Sequence, residues 1–246
     1  MGFLKDYQDA HGHAMYDHLK GKAACEVVER DDGFVDPTNA PRVYFSEFGD
    51  WPPNEKKAMR YARGKVLDIG CGAGRHSLYL QGKGLDVLGV DASPLAVKVC
   101  KLRGLKKARL MSITEVSPKL GRFDTLLMLG NNFGLFESFS RARRLLTRFH
   151  KITSDRARII AETLDPYKNN EPAHFEYHKL NRKKGRMPGQ VRLRVRYKKY
   201  ATPWFDYLFV SKEEMTRILE GTGWRVARFI DSKGPCYIAL LEKHSI

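Results

Sequence analysis

The chain has 246 residues, 42% of them hydrophobic and 11% aromatic. At roughly 150 residues per domain this makes one large domain, or a domain with an insertion, and it excludes a disordered chain because so much apolar surface can offset the entropy of ordering. Lys and Arg number 44 against 28 Asp and Glu, a formal charge of +16, which leaves an anionic partner and a crowded solvated surface both open and says nothing of fold. The four cysteines stand far apart without a C-x-x-C pair, and no charged n-region followed by an apolar h-region opens the chain. There is no run of about eighteen apolar residues, and Asp6 stands where a myristoyl signal on Met1-Gly2 needs a hydroxyl. A cytoplasmic protein with no membrane span or lipid anchor is expected.

Residues 3 to 20 set Leu4, Tyr7, His11, Met15, His18 and Leu19 at three- and four-residue steps, which predicts an opening helix. From Asp31 to Pro53 the period disappears among Asp-Asp-Gly, Asp-Pro and Trp-Pro-Pro. That predicts a loop, apolar enough through Val43, Tyr44, Phe45, Phe48 and Trp51 to need a surface to lie on. A short helix from about Asn54 to Arg63 stops at Gly64. Short apolar runs and helical patterns then alternate: Lys65 to Ile69, Arg75 to Gln81, Asp86 to Val90, Pro94 to Arg103, Ala108 to Ile113 and Phe123 to Leu129. Strand and helix in turn predict an α/β fold with a mostly parallel sheet covered on both faces.

Ser93, Pro94 and Gly104 punctuate the second of these helices as N-cap, first turn and stop. The stripe Phe139, Ala142, Leu145, Leu146, Phe149 and Ile152 predicts another helix, whose off-stripe arginines read first as a solvated face. Arg158 to Thr163 is the next strand. Ser211 with Glu214 forms a capping box, and Trp224 to Ile230 and Cys236 to Glu242 close the chain as two strands. The domain plan is an N-terminal helix and lid over residues 1–53 and a main domain over 54–246, with 166–210 a β-rich basic insertion.

The chemistry concentrates at Val66-Leu-Asp-Ile-Gly-Cys-Gly-Ala-Gly74, where glycines 70, 72 and 74 follow a strand and precede a helix. Such a turn lets a ligand approach the backbone and aims free N–H groups at negative charge. Asp91 ends the following strand, where a carboxylate can accept both hydroxyls of a ribose. On these residues, with Val90-Asp91-Ala-Ser-Pro94, the sequence resembles the class I S-adenosylmethionine-dependent methyltransferases over roughly residues 54–165 and 204–244. The resemblance implies a doubly wound seven-stranded sheet with an antiparallel last strand, and S-adenosyl-L-methionine as cofactor. It implies that Gly70, Cys71, Gly72 and Gly74 pass under the methionine part, that Asp68 holds its amino group, that Asp91 binds the ribose, and that Ala92 and Leu129 line the site. The Asp that usually ends the third strand is missing; Ser112 stands there, as a hydroxyl toward the adenine or as a loop residue. Cys71 reads as a small apolar residue rather than a nucleophile.

Catalytic candidates sit at strand ends. Gly130-Asn-Asn-Phe-Gly134 resembles the Asn-containing turn of small-molecule methyltransferases, making Asn131 and Asn132 substrate contacts or plain turn formers. It lacks the paired prolines that present a base in amino-methylating nucleic-acid enzymes, and a cysteine that could attack a pyrimidine. Of Glu162 and Asp165, one is expected as an exposed acid at the ligand-bearing edge. His174, Glu176 and His178 would share a strand face at period two, open to a metal, an acid–base cluster or a plain polar surface; no metal is expected. Asn181 to Tyr200 holds nine Lys or Arg and no acid, and Val191-Arg-Leu-Arg-Val-Arg-Tyr197 alternates strictly. The face of Arg192, Arg194 and Arg196 is open to solvent, to an anionic small substrate or to RNA phosphates. Tyr44, Trp51 and Trp204 are expected to roof the substrate. The leading expectation is a methyltransferase acting on a small acceptor, with an anionic acceptor in view; an RNA methyltransferase and a non-catalytic partner subunit are the alternatives.

Overall fold

The computed structural model describes residues 3–38, 40–168 and 171–244; Met1 and Gly2, read above for a lipid anchor, lie outside them. Helix α1 (Ala10–Leu19), strands β1 (Glu26–Arg30) and β2 (Val35–Thr38) and the short helices α2 (Ala40–Tyr44) and α3 (Pro53–Met59) come first. Then follow β3 (Lys65–Ile69), α4 (Arg75–Gly82), β4 (Asp86–Asp91), α5 (Pro94–Leu102), β5 (Ala108–Leu110), β6 (Phe123–Met128), α6 (Phe139–Lys151) and β7 (Thr153–Leu164). Helix α7 (Pro172–Lys183), strands β8 (Gln190–Tyr197), β9 (Tyr200–Ala201) and β10 (Phe205–Leu208), helix α8 (Lys212–Leu219), and strands β11 (Trp224–Asp231) and β12 (Cys236–Lys243) complete the chain.

The main sheet has seven strands in the order β11-β12-β7-β6-β3-β4-β5. β4 pairs parallel with β5 and β6 with β7, whereas β12 runs antiparallel to both its neighbours. This is the doubly wound, mostly parallel sheet with an antiparallel last strand. Central strands covered on both faces read as unbroken apolar runs, and Tyr237 to Leu241 in β12 is buried throughout. The punctuation expected for α5 is present: Ser93 Oγ accepts the Ala96 N–H at 2.9 Å, and Gly104 sits at φ +92°. The Ser211 and Glu214 capping box opens α8.

Two expectations are corrected. Residues 172–183, taken as part of a strand-built insertion, form α7, with Pro172 in the first turn. A period of 3.6 puts His174 and His178 on one side and Glu176 opposite, so the three do not share a face. In the N-terminal stretch, taken as a helix and loop, β1 and β2 are strands, joined to β8 and β10 in a second sheet of order β10-β8-β1-β2. Among the described residues no helix is long and apolar enough to cross a membrane.

The chain forms two compact units, one of Met1–Trp51, Val66–Val116 and Arg192–Phe205, the other of Pro52–Lys65, Ser117–Val191 and Asp206–Ile246. In the first, Met15 of α1 packs with Ala73, Ala96 and Val99, while Ala10 and Ala14 pack with Val195 and Tyr197. In the second, Phe136 meets Phe133 and Phe149 ring to ring, and Trp224 donates its indole N–H to the Leu146 carbonyl at 3.0 Å.

Candidate active site

In the first unit, Gly70, Gly72 and Gly74 stand at φ +74°, +54° and +80°, a left-handed backbone that only glycine adopts freely. The turn is fastened to β4 because the Gly70 and Cys71 N–H groups both donate to the Val90 carbonyl, at 2.9 and 3.1 Å. The glycines differ in what they face. A Cβ on Gly74 would come within 3.0 Å of Cys100 Sγ, so that glycine serves helix packing. A Cβ on Gly72 would meet only Met15 Sδ, at 3.8 Å, so the backbone there borders open room. Cys71 is buried with its thiol 3.8 Å from Cys100 Sγ, and this contact and burial hold its pKa well above the ordinary thiol range, which suits packing and not nucleophilic attack.

Asp91 takes the Gly72 N–H on Oδ2 and the Ser93 N–H on Oδ1, both at 2.9 Å. Burial raises its pKa, against the two amides and His11, which lower it; Asp9 adds to the rise. Each oxygen keeps a lone pair for a further donor. Asp68 is buried and accepts the Ser77 hydroxyl at 2.6 Å; burial raises its pKa against His76, Ser77 and Arg75. Ser112 caps a short turn, its hydroxyl 3.1 Å from Thr114 Oγ1 and its N–H donated to Glu115. Ala92 accepts the Leu4 N–H at 3.4 Å. Open backbone over Gly72 beside an acceptor-only carboxylate suits an adenosyl cofactor with a vicinal diol.

The N-terminal residues cover this cradle. Asp9 accepts the Gly12 N–H with Oδ1 and the Leu95 N–H with Oδ2, each at 3.0 Å, so one carboxylate caps α1 and the first turn of α5 together. Asp17 gathers Lys22, Lys198 and Tyr197, and its pKa falls to about 2, chiefly through the Lys198 hydrogen bond. Tyr44 meets the His11 ring edge-on, with centroids 6.3 Å apart. Trp51, expected to face substrate, is 2% exposed: it packs with Phe48, His76 and Tyr79, and its N–H goes to the Ser46 carbonyl. It is a core residue. Arg194 stacks 4.7 Å over Trp204 and bonds Glu29 at 3.0 and 2.8 Å, with Arg196 3.7 Å from the same carboxylate. The basic face therefore carries its own counter-ion.

In the second unit the buried Leu129 leads into Gly130 and Asn131, both left-handed, with Asn131 at φ 63°. Glu162 Oε2 accepts the Gly130 N–H at 2.7 Å and the Asn131 N–H at 3.4 Å, and the Tyr207 hydroxyl donates to the Asn131 carbonyl at 2.7 Å. A Cβ on Gly134 would fall 2.0 Å from the Tyr207 ring, which explains the glycine. The Asn131 side chain hydrogen-bonds the Cys236 thiol, and its Oδ1 is buried with no partner. Asn132 opens the short turn that follows. Of the two acids, one of which was expected to be exposed, Glu162 is a buried carboxylate committed to backbone amides, and Asp165 Oδ1 accepts the Tyr167 N–H. His174, on α7, pairs its N–H with the Glu171 carbonyl. Asp9 and Cys236 were missed by the sequence reading; only Asp9, ahead of a helical stripe, carried a local signal as an N-cap.

A family profile described as "Methyltransferase domain" matches residues 66–155. A methyltransferase from Bacteroides fragilis, solved with S-adenosyl-L-homocysteine, is 26% identical with a TM-score of 0.84, over 99% of this chain and 98% of that one. A S-adenosylmethionine-dependent methyltransferase from Methanosarcina mazei is 16% identical, TM-score 0.60, over 80% of this chain and all of its own. The 1,6-didemethyltoxoflavin-N1-methyltransferase of Burkholderia thailandensis is 15% identical, TM-score 0.50, over 80% and 81%; these two share the fold. The full-length likeness is to a structure holding the demethylated cofactor, and it agrees with the strand order. Residues 66–155 are a methyltransferase domain, and over its full length the chain is similar to a S-adenosylmethionine-dependent methyltransferase and shares its fold.

Proposed function

We propose that this methyltransferase acts on a small acceptor that presents an N–H or O–H group. The observation that carries the reading is the buried, unpartnered Oδ1 of Asn131. A buried carbonyl oxygen without a donor costs about 1 to 3 kcal/mol, and a substrate N–H or O–H would relieve that cost. The amide that bears it is fixed from several sides, by Glu162 on the backbone N–H, Tyr207 on the carbonyl and Cys236 on the side chain. Rigid support of this kind suits in-line displacement, which depends on alignment.

When bound, S-adenosylmethionine would supply an activated methyl group to a lone pair of the acceptor, with S-adenosylhomocysteine as the leaving group and the acceptor's proton passing to solvent. Within the first unit, Gly72 leaves room for the cofactor's backbone approach and Asp91 accepts its ribose hydroxyls; within the second, the Asn131 amide is the acceptor of a substrate N–H or O–H. Glu162 positions the Asn131 turn. The RNA alternative loses its main support because Arg194 and Lys198 spend their charge on Glu29 and Asp17. The four cysteines are unpaired, in keeping with the reducing cytoplasm in which we place the enzyme.

The test is transfer of labelled methyl from S-adenosylmethionine to a fractionated metabolite extract and, in parallel, to total RNA. Label should enter a small-molecule fraction, and Asn131→Ala should lower kcat/KM there by about tenfold or more. Stoichiometric label in RNA, or full activity of the Asn131 variant, would reject the reading.

A further inference from the structure

Among the groups around the glycine turn, one pair has no part in the reading above. His11 Nδ1, on α1, lies 2.9 Å from Glu26 Oε1, on β1. Glu26 is wholly buried, and its Oε2 has no hydrogen-bond partner. The His11 side chain is 31% exposed, and Nδ1 is the nitrogen held by Glu26. With Glu26 as the acceptor, Nδ1–H donates to it and Nε2 is the nitrogen left for a ligand.

The groups facing this ring come from four places. Glu26 belongs to β1, Asp9 precedes α1, Asp91 ends β4, and Tyr44 of α2 meets the ring edge-on. Burial works against the imidazolium, but the charge and hydrogen bond of Glu26, followed by Asp91 and Asp9, outweigh it and hold the His11 pKa above the ordinary histidine value. Three carboxylates, Glu26, Asp91 and Asp9, thus favour the charged form of His11. The carboxylate it shares with the cofactor is Asp91, whose two oxygens each hold a backbone N–H and have room for one ribose hydroxyl apiece. Once those hydroxyls donate to Asp91, the ribose oxygens become acceptors in need of a donor.

We propose that His11, oriented by Glu26, is a cofactor-binding residue whose Nε2–H donates to a ribose oxygen of S-adenosylmethionine while Asp91 accepts the ribose hydroxyl protons. Glu26 is a positioning residue that acts through the ring. The proposal rests on Asp91 as the ribose acceptor. It gives cofactor affinity two pH limits. As pH falls through the raised pKa of Asp91, the acceptor is protonated; as pH rises through the raised pKa of His11, the cation that steadies the three carboxylates is lost. By linkage, a cofactor that prefers the imidazolium must raise the His11 pKa further on binding.

The test is calorimetric titration with S-adenosyl-L-homocysteine between about pH 5 and 9, on the wild type and on His11→Gln, Glu26→Gln and Asp91→Ala, with the 15N shifts of His11 followed in the wild type. His11→Gln should bind about tenfold more weakly at neutral pH, the loss of a charge-assisted hydrogen bond, and should lose the alkaline limb. Glu26→Gln should keep the limb but move its midpoint, and the His11 titration, to lower pH. In the wild type, S-adenosyl-L-homocysteine should shift the His11 titration upward, a readout independent of whether any variant folds. An unchanged His11 titration on binding, or a His11→Gln variant with wild-type affinity and an intact alkaline limb, would overturn the proposal. If Asp91→Ala also bound like the wild type, the ribose assignment itself would be wrong; if Asp91→Ala weakened binding and His11→Gln did not, only the role of His11 would fail.

Discussion

Asp9 shows how much a single side chain can fasten. One of its oxygens caps the helix that lies over the cradle, and the other caps the helix that follows Asp91. It tolerates no side chain on Gly12, where a Cβ would fall 2.4 Å from the carboxylate. Replacing Asp9 with Ala strands two helix-terminal N–H groups, so a loss of about 2 kcal/mol or more is expected. The measurement is the urea midpoint of the variant, with near-wild-type stability as the contrary result. Residue by residue, the cofactor side was legible where chemistry demands a type at a spacing: three glycines after a strand, and an acid at the end of the next. Glu26 was not legible, because nothing in Cys25-Glu26-Val27 shows that an imidazole fifteen residues earlier will return to it. Trp51 misled for a related reason, since an aromatic residue among prolines reads alike whether it roofs a pocket or fills a core.

At the level of elements, caps with local signals were readable and pairings between distant segments were not. Ser93-Pro94 and Ser211 with Glu214 announce their helices because the partners lie within one turn. The second sheet escaped because β1 finds its neighbour in β8, with Glu29 and Arg194 separated by 165 positions. Helix α7 was misread because His174, Glu176 and His178 alternate with apolar residues over too few positions to separate a period of 2 from 3.6. Its fixing residue is Asn181, 1% exposed, whose amide donates to the Pro188 carbonyl at 3.0 Å and the Gln190 carbonyl at 2.6 Å, tying the helix end to the start of β8. Asn181→Ala removes both bonds and leaves two carbonyls without a donor; about 2 kcal/mol of destabilisation is expected. Amide exchange should quicken first at residues 185–191, and uniform protection there would contradict the role.

For the whole molecule, the charge of +16 has to be set against where the cations are spent. Arg194 and Lys198 of the basic stretch each face a carboxylate within 3 Å, so part of its charge is already neutralised. Association with RNA is expected to be weak and to disappear by moderate salt, since each neutralised phosphate adds about 0.7 to the logarithmic salt slope on a single strand. Filter binding across a salt series checks this; tight binding with a slope of several phosphates, lost when Arg192, Arg194 and Arg196 become Glu, would restore an RNA role. The pairing of β1 with β8 also sets an order of events during synthesis. While the ribosome is still making residues 31–190, β1 has no β8 beside it, and Glu29 waits for an arginine not yet made. The half of the protein that bears the glycine turn cannot finish folding until its last segment, residues 192–205, leaves the exit tunnel, so a nascent chain paused in α7 carries an open strand edge that chaperones must shield.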